Sequence, residues 1–198
     1  MNAFDKTVFH ALNQYAGHSA LDPVMKFFAQ YSLEMYALIF IVAWFALPRQ
    51  DEDRRHALVI AAAGGVLALL INAVIGAIWY RPRPFVAMPN EAHRIIPHAV
   101  DASFPSDHVS GGFGFTSGAW GAAPSWVSGA FLVVSLITMV ARVYVGVHWP
   151  TDVLGGLVVG VIAGRIAHLL SGPLWLVTSG LLRLFRMGHY ARRRRYGR

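Results

Sequence analysis

The sequence contains no cysteine, and no lysine after Lys26. The first absence excludes disulfides and thiolate metal sites and leaves the redox compartment unread. Charge is also scarce. Asp, Glu, Lys and Arg make up 14% of the 198 residues, where a soluble domain carries about a quarter. A cleavable signal peptide is not expected, because residues 1–23 carry Asp5, Lys6, Asn13, Gln14, His18 and Asp22 without an apolar core of the required length. Internal repeats are absent, and the only low-complexity tract is a basic run near the C-terminus.

What is present is mainly apolar: 56% of the residues are hydrophobic. Apolar stretches recur at 29–47, 57–80, 108–123, 125–146 and 151–170. At about 20 residues per crossing, the chain fits one all-α polytopic membrane bundle of about five spans. Val8, Leu12 and Tyr15 share one helical face, which predicts an interfacial helix within residues 1–23. Residues 24–171 form the transmembrane domain, and 172–198 an amphipathic helix followed by a basic tail. Pro48, Pro124 and Pro150 stand at the joints, where proline suits a turn or the first turn of a helix.

The net charge of +7 raises nucleic acid as a partner, but the cations flank apolar runs, as membrane-anchoring charge does. Counting crossings puts segments 81–107 and 142–150 on one face. The loop 48–56, the turn near Pro124 and the C-terminal tail fall on the other. That second face holds Arg49, Arg54, Arg55, Arg183, Arg186, Arg192 to Arg195 and Arg198, so the positive-inside rule makes it cytoplasmic. Within the spans, Glu34, Asn72 and Arg165 read as interhelical hydrogen bonds or snorkelling groups. Gly156, Gly160 and Gly164 read as a close helix contact.

The outward segments hold most of the candidate chemistry. Arg81, Arg83 and Arg142 offer planar pairs of donors suited to phosphate oxygens. Ser106 stands just before a span, where a helix start exposes free N–H groups. His148 and Asp152 lie four apart, so the carboxylate could take a hydrogen bond from one imidazole nitrogen and leave the other as a nucleophile. His108 could supply the leaving group's proton. Singly, each has an ordinary reading: an Arg after a span contacts headgroups, a lone interfacial His is structural, and Arg-Pro-Arg-Pro is a rigid loop. Their convergence on one face changes that balance.

Arg83-Pro84, then Pro105-Ser106-Asp107-His108, then Arg142-x5-His148-x3-Asp152 resemble the three-part signature of the type 2 phosphatidic acid phosphatase superfamily. The surrounding strings are similar to those of its bacterial undecaprenyl-diphosphate phosphatases of the bacitracin-resistance type. The resemblance covers roughly residues 20–170. It implies a bacterial inner-membrane enzyme that needs no metal or other cofactor and acts on a polyprenyl diphosphate in the bilayer. His148 would form a phosphohistidine, Asp152 would orient it, and His108 would serve as general acid and then base. Arg83, Ser106 and Arg142 would hold phosphoryl oxygens, helped by backbone N–H near Asp107.

Two positions depart from the pattern. The Lys that opens the first motif falls on Gly76 counted from Arg83, and Arg81 is the expected replacement; the third motif begins Ala141-Arg142 instead of Ser-Arg. His93, His98 and Asp101 match no strong metal-ligand spacing. Alternatives are another lipid phosphate, vanadium peroxidase chemistry within the same signature, and a non-enzymatic transporter or scaffold subunit. Oligomeric state is left open.

Overall fold

Prolines and acidic residues mark where the long helices begin. Pro23 lies in the first turn of one and Pro150 opens another, while the Asp51 side chain caps a third by accepting the Arg54 N–H at 3.2 Å. The computed structural model describes residues 2–192, and every regular element among them is a helix. In order these are α1 (Ala3–Asn13), α2 (Asp22–Ala46), α3 (Glu52–Ile78), α4 (Pro84–Ala87), α5 (Asp107–Ala119), α6 (Ser125–Tyr144), α7 (Pro150–Leu169), α8 (Ser171–Leu184) and α9 (His189–Arg192).

Helices α2, α3, α6 and α7 are long and apolar enough to cross a membrane. The expected third span is instead the 13-residue α5, about 20 Å long. It is buried at the centre, with α3 and α7 as its closest neighbours. Small residues make that position available. A Cβ added to Gly64 would lie 2.6 Å from the Gly114 carbonyl oxygen, and one added to Gly164 would lie 2.7 Å from the Gly118 nitrogen. The α3–α5–α7 backbones therefore approach closely through glycine, as membrane helices do. Asn72 joins the same seam, donating to Asp107 at 2.8 Å and accepting from Ser110 at 3.1 Å. Glu34 and Arg165 are exposed on the bundle's outside.

Arg55, expected as a surface cation, is fully buried. Its guanidinium donates to the carbonyls of Trp44, Leu47, Pro48 and Asp51 at 2.7–3.1 Å. The charge thus sits on the carbonyl end of α2, where the helix dipole favours it. It holds the α2–α3 turn closed.

The N-terminal helix also differs from expectation. Its buried residues are Asp5, Phe9 and Asn13, while Tyr15 is exposed. Hydrogen bonding decides the facing. Asn13 donates to the carbonyls of His93 and Tyr144 at 2.8 and 2.7 Å, and the Asp5 carboxylate finds partners inside the bundle. Two polar residues with such partners outweigh the apolar face.

At the opposite end α8 follows a break at Leu170, with Thr178 and Leu182 buried and His56 bonded to Ser171 and Thr178 at 2.8 Å. From Arg193 on, the basic tail lies outside the described residues.

Candidate active site

The C-terminus of α6, the N-termini of α5 and α7 and the segment joining α4 to α5 meet at one end of the bundle. His148 lies there, in the short connection from α6 to α7, and is 1% exposed. Its Nδ1 is 2.8 Å from the Ser103 carbonyl, which can only accept, so Nδ1 carries the proton. Its Nε2 is then an acceptor. It lies 3.1 Å from Arg83 Nη1 and 3.1 Å from Arg142 Nη2. Burial first, and then Arg142 and Arg83, push the His148 pKa well below its ordinary value, so the ring is neutral at pH 7.

Both guanidinium groups are fixed from behind. Arg83 donates to the carbonyls of Val147 and Ala102 at 3.0 Å and to the Asp101 carboxylate at 2.7 Å. Arg142 donates to the Ala29 carbonyl at 2.7 Å and pairs with His98 Nε2 at 2.9 Å. His98 is itself held below its ordinary pKa, chiefly by burial and then by the two arginines, which suits the acceptor role. Two buried polar atoms of the site, Arg142 Nε and Ser106 Oγ, have no hydrogen-bond partner among the described residues. Unsatisfied buried donors are rare, so these two stand out beside the paired arginines.

The structure changes the expected part of Asp152. Its carboxylate is 3.6 Å from His148 Nδ1, beyond a hydrogen bond. It accepts instead from the Ser103 hydroxyl and from the Trp149 N–H, the latter at 2.7 Å. Asp152 thus reaches the imidazole through Ser103, whose carbonyl takes the Nδ1 proton. The geometry follows from helix capping: Pro150 opens α7, and a carboxylate two residues later turns back onto the N–H of the residue before it.

Arg81, expected beside the phosphate, takes other partners. It does not join the guanidinium pair at Nε2. It donates to Asp5 at 2.6 Å, to Asp152 at 2.5 Å and to Thr151 at 2.7 Å.

Asp107 and His108 begin α5 and line a cavity of about 470 Å³ together with Asn72, Gly76, Ala102 and Phe104. Ser103, Asp101, His98 and Asp5 belong to the constellation and were not singled out for it from sequence. Nothing in the sequence around Ser103 distinguishes a carbonyl that holds a histidine. Among the described residues there is no group of three or more His, Asp or Glu placed to hold a metal ion.

The model of the PAP2 superfamily matches residues 55–175. Undecaprenyl-diphosphatase BcrC of Bacillus subtilis is 39% identical over 158 residues, covering 79% of each chain. The bacitracin transport permease protein BcrC of Bacillus licheniformis is 32% identical over 148 residues, 74% of this chain and 70% of that one. The crystal structure of Aquifex aeolicus LpxE superposes with a TM-score of 0.67 at 21% identity, over 84% of this chain and 95% of that one, a likeness of fold.

Proposed function

The chain belongs to the PAP2 superfamily, as a multi-span membrane phosphatase, and from that premise we propose that it hydrolyses undecaprenyl diphosphate to undecaprenyl phosphate and inorganic phosphate. The observation that carries this reading is the pair of guanidinium groups converging at 3.1 Å on the acceptor nitrogen of His148.

In this reading the terminal phosphoryl group takes the donors of Arg83 and Arg142, together with Arg142 Nε–H and Ser106 Oγ–H, which have no partner among the described residues. Nε2 attacks phosphorus in line and the bond to the bridging oxygen breaks; His108, held down by burial and Arg142 in the free protein, takes up a proton as the substrate's negative charge enters and gives it to that oxygen. Phosphorylation at Nε2 with Nδ1 still protonated makes the ring cationic. The Ser103 carbonyl and the Asp152 carboxylate, 3.6 Å away, stabilise it. His108, now a base, takes a proton from water. The hydroxide attacks phosphorus, releasing phosphate and restoring the imidazole. Preorganised positive charge carries most of the rate enhancement in such transfers. The phosphatase domain comprises residues 24–171, flanked by 1–23 and 172–198.

Purified protein in detergent and EDTA should release phosphate from undecaprenyl diphosphate with a higher kcat/KM than from phosphatidic acid or phosphatidylglycerol phosphate. A preference for either of those would replace the substrate. Folded protein that releases phosphate from none of the three would favour the transport reading, which the name of the Bacillus licheniformis relative also raises.

The arginines around α8 and the α2–α3 turn support a cytoplasmic C-terminus, with the site on the outer face of a bacterial cell membrane. That face suits a carrier lipid released there as the diphosphate. A reporter fused after Arg198 should read cytoplasmic, and an extracytoplasmic signal would invert the arrangement.

A further inference from the structure

Two buried or half-buried ions, Asp5 and Arg81, have no part in the steps above. Asp5, in the first turn of α1, is fully buried. Its Oδ2 accepts from Arg81 Nη2 at 2.6 Å, and its Oδ1 accepts from the Thr151 N–H and hydroxyl at 2.9 and 2.8 Å. The other arm of Arg81, Nη1, donates to Asp152 Oδ1 at 2.5 Å. A single guanidinium therefore joins the N-terminal helix to the carboxylate behind the nucleophile. Asn2 secures the arrangement by capping α1, accepting the Asp5 N–H at 2.8 Å. Phe9, one turn on, packs on the Trp149 ring with centroids 5.3 Å apart.

The Phe9–Trp149 contact and the Asn13 hydrogen bonds to the His93 and Tyr144 carbonyls already dock α1. A buried ion pair is weak as a stabiliser, since desolvation offsets most of its attraction. A carboxylate sharing the cation that holds Asp152 therefore calls for a reason beyond anchoring. We propose that Asp5 is a positioning residue for the phosphatase reaction: through Arg81 it sets the geometry of Asp152, and through Thr151 it fixes the first turn of α7. The N-terminal helix is then part of the active-site machinery. This rests on the reading of His148 as nucleophile.

The physical argument has two parts. With Asp5 on Nη2, Arg81 presents only Nη1 to Asp152, and Asp152 Oδ2 stays with the Ser103 hydroxyl and the Trp149 N–H. If Asp5 is neutral, both arms of Arg81 are free to close on Asp152 as a two-pronged pair. That draws Oδ2 from Ser103, whose carbonyl holds His148 Nδ1. The second part is charge. His148 faces Arg83 and Arg142, the imidazoles of His98 and His108, and Asp152; Asp152 faces Arg81 and Asp5. Removing one negative charge from this set makes the cationic phosphorylated ring harder to form and lowers the pH at which the imidazole and Asp152 deprotonate.

Because Asp5 lies behind Asp152, its loss should appear in kcat and leave KM unchanged. The test compares full-length Asp5→Asn, Arg81→Gln and the double variant, with wild type and His148→Gln alongside, as phosphate release from undecaprenyl diphosphate per folded protein. Asp5→Asn should lower kcat about tenfold, with KM within about twofold. The acid limb of its kcat profile should move to lower pH. Arg81→Gln leaves two buried carboxylates without their cation and should lose more. The double variant should recover part of that loss, because one carboxylate then remains. Asp5→Asn with wild-type kcat and pH profile, even with a lowered Tm, would make Asp5 an anchor and overturn the proposal. Strictly additive losses would overturn action through Arg81. Wild-type activity in His148→Gln would overturn the underlying reading and this proposal with it.

Discussion

Replacing His148 with glutamine should lower kcat for phosphate release by about 10⁴-fold or more, while the protein still folds. Glutamine keeps a side-chain amide that can both donate to the Ser103 carbonyl and accept from the arginines, but its carbonyl oxygen forms no stable phosphoryl adduct. Alanine is the poorer test. It would leave a hole at a 1% exposed position and strand two guanidinium groups that now meet on Nε2.

The electrostatics argue for a nucleophile that is always ready. Burial and the two arginines disfavour the imidazolium, so the neutral ring persists below its ordinary titration range. A ring so depressed is a weaker base. Its reactivity then depends on the same arginines neutralising the phosphoryl oxygens once substrate arrives. Quenching turnover with denaturant at alkaline pH, where a phosphorus–nitrogen bond survives, should trap a phosphoryl group on the wild-type protein and none on the glutamine variant. Equal turnover in the two proteins, or an adduct on another residue, would remove His148 from the mechanism.

Arg142→Lys should reduce kcat/KM by about 10²-fold, although formal charge is conserved. The guanidinium makes three directed contacts: one arm on the Ala29 carbonyl and the other shared between His98 and His148. Its Nε has no partner among the described residues. A lysine ammonium cannot hold α2 at Ala29 and face phosphate at the same time. If charge alone mattered, the lysine enzyme would work normally, and steady-state kinetics in which it matched wild type would show that Arg142 does not clamp phosphate. Arg142→Gln should fall further, since it loses both direction and charge.

How much of this was legible beforehand depends on the kind of interaction. The run lengths that mark α2, α3, α6 and α7 follow from the thickness of hydrocarbon, so they can be read along the chain. The third run was harder. A glycine-rich stretch reads as a weak span, and only close packing against Gly64 and Gly164 shows why α5 is short and central. Val8 and Leu12 pointed to an interfacial helix, yet Asp5 and Asn13 turned its polar face inward once partners existed for them.

The sequence by itself determined that this is a membrane bundle and which residue types are suited to phosphate. Lipid imposes the first, and the chemistry of an anion and a nucleophile imposes the second. Only the tertiary structure decided which partner each charge takes. Arg81 pairs with a carboxylate 76 positions away, Thr151 with one 146 positions away, and Asp152 reaches His148 through Ser103, which lies 49 positions upstream of it. The physical reason is that a buried ion takes the best counter-charge that helix packing brings within about 3 Å, and sequence spacing carries no record of that distance.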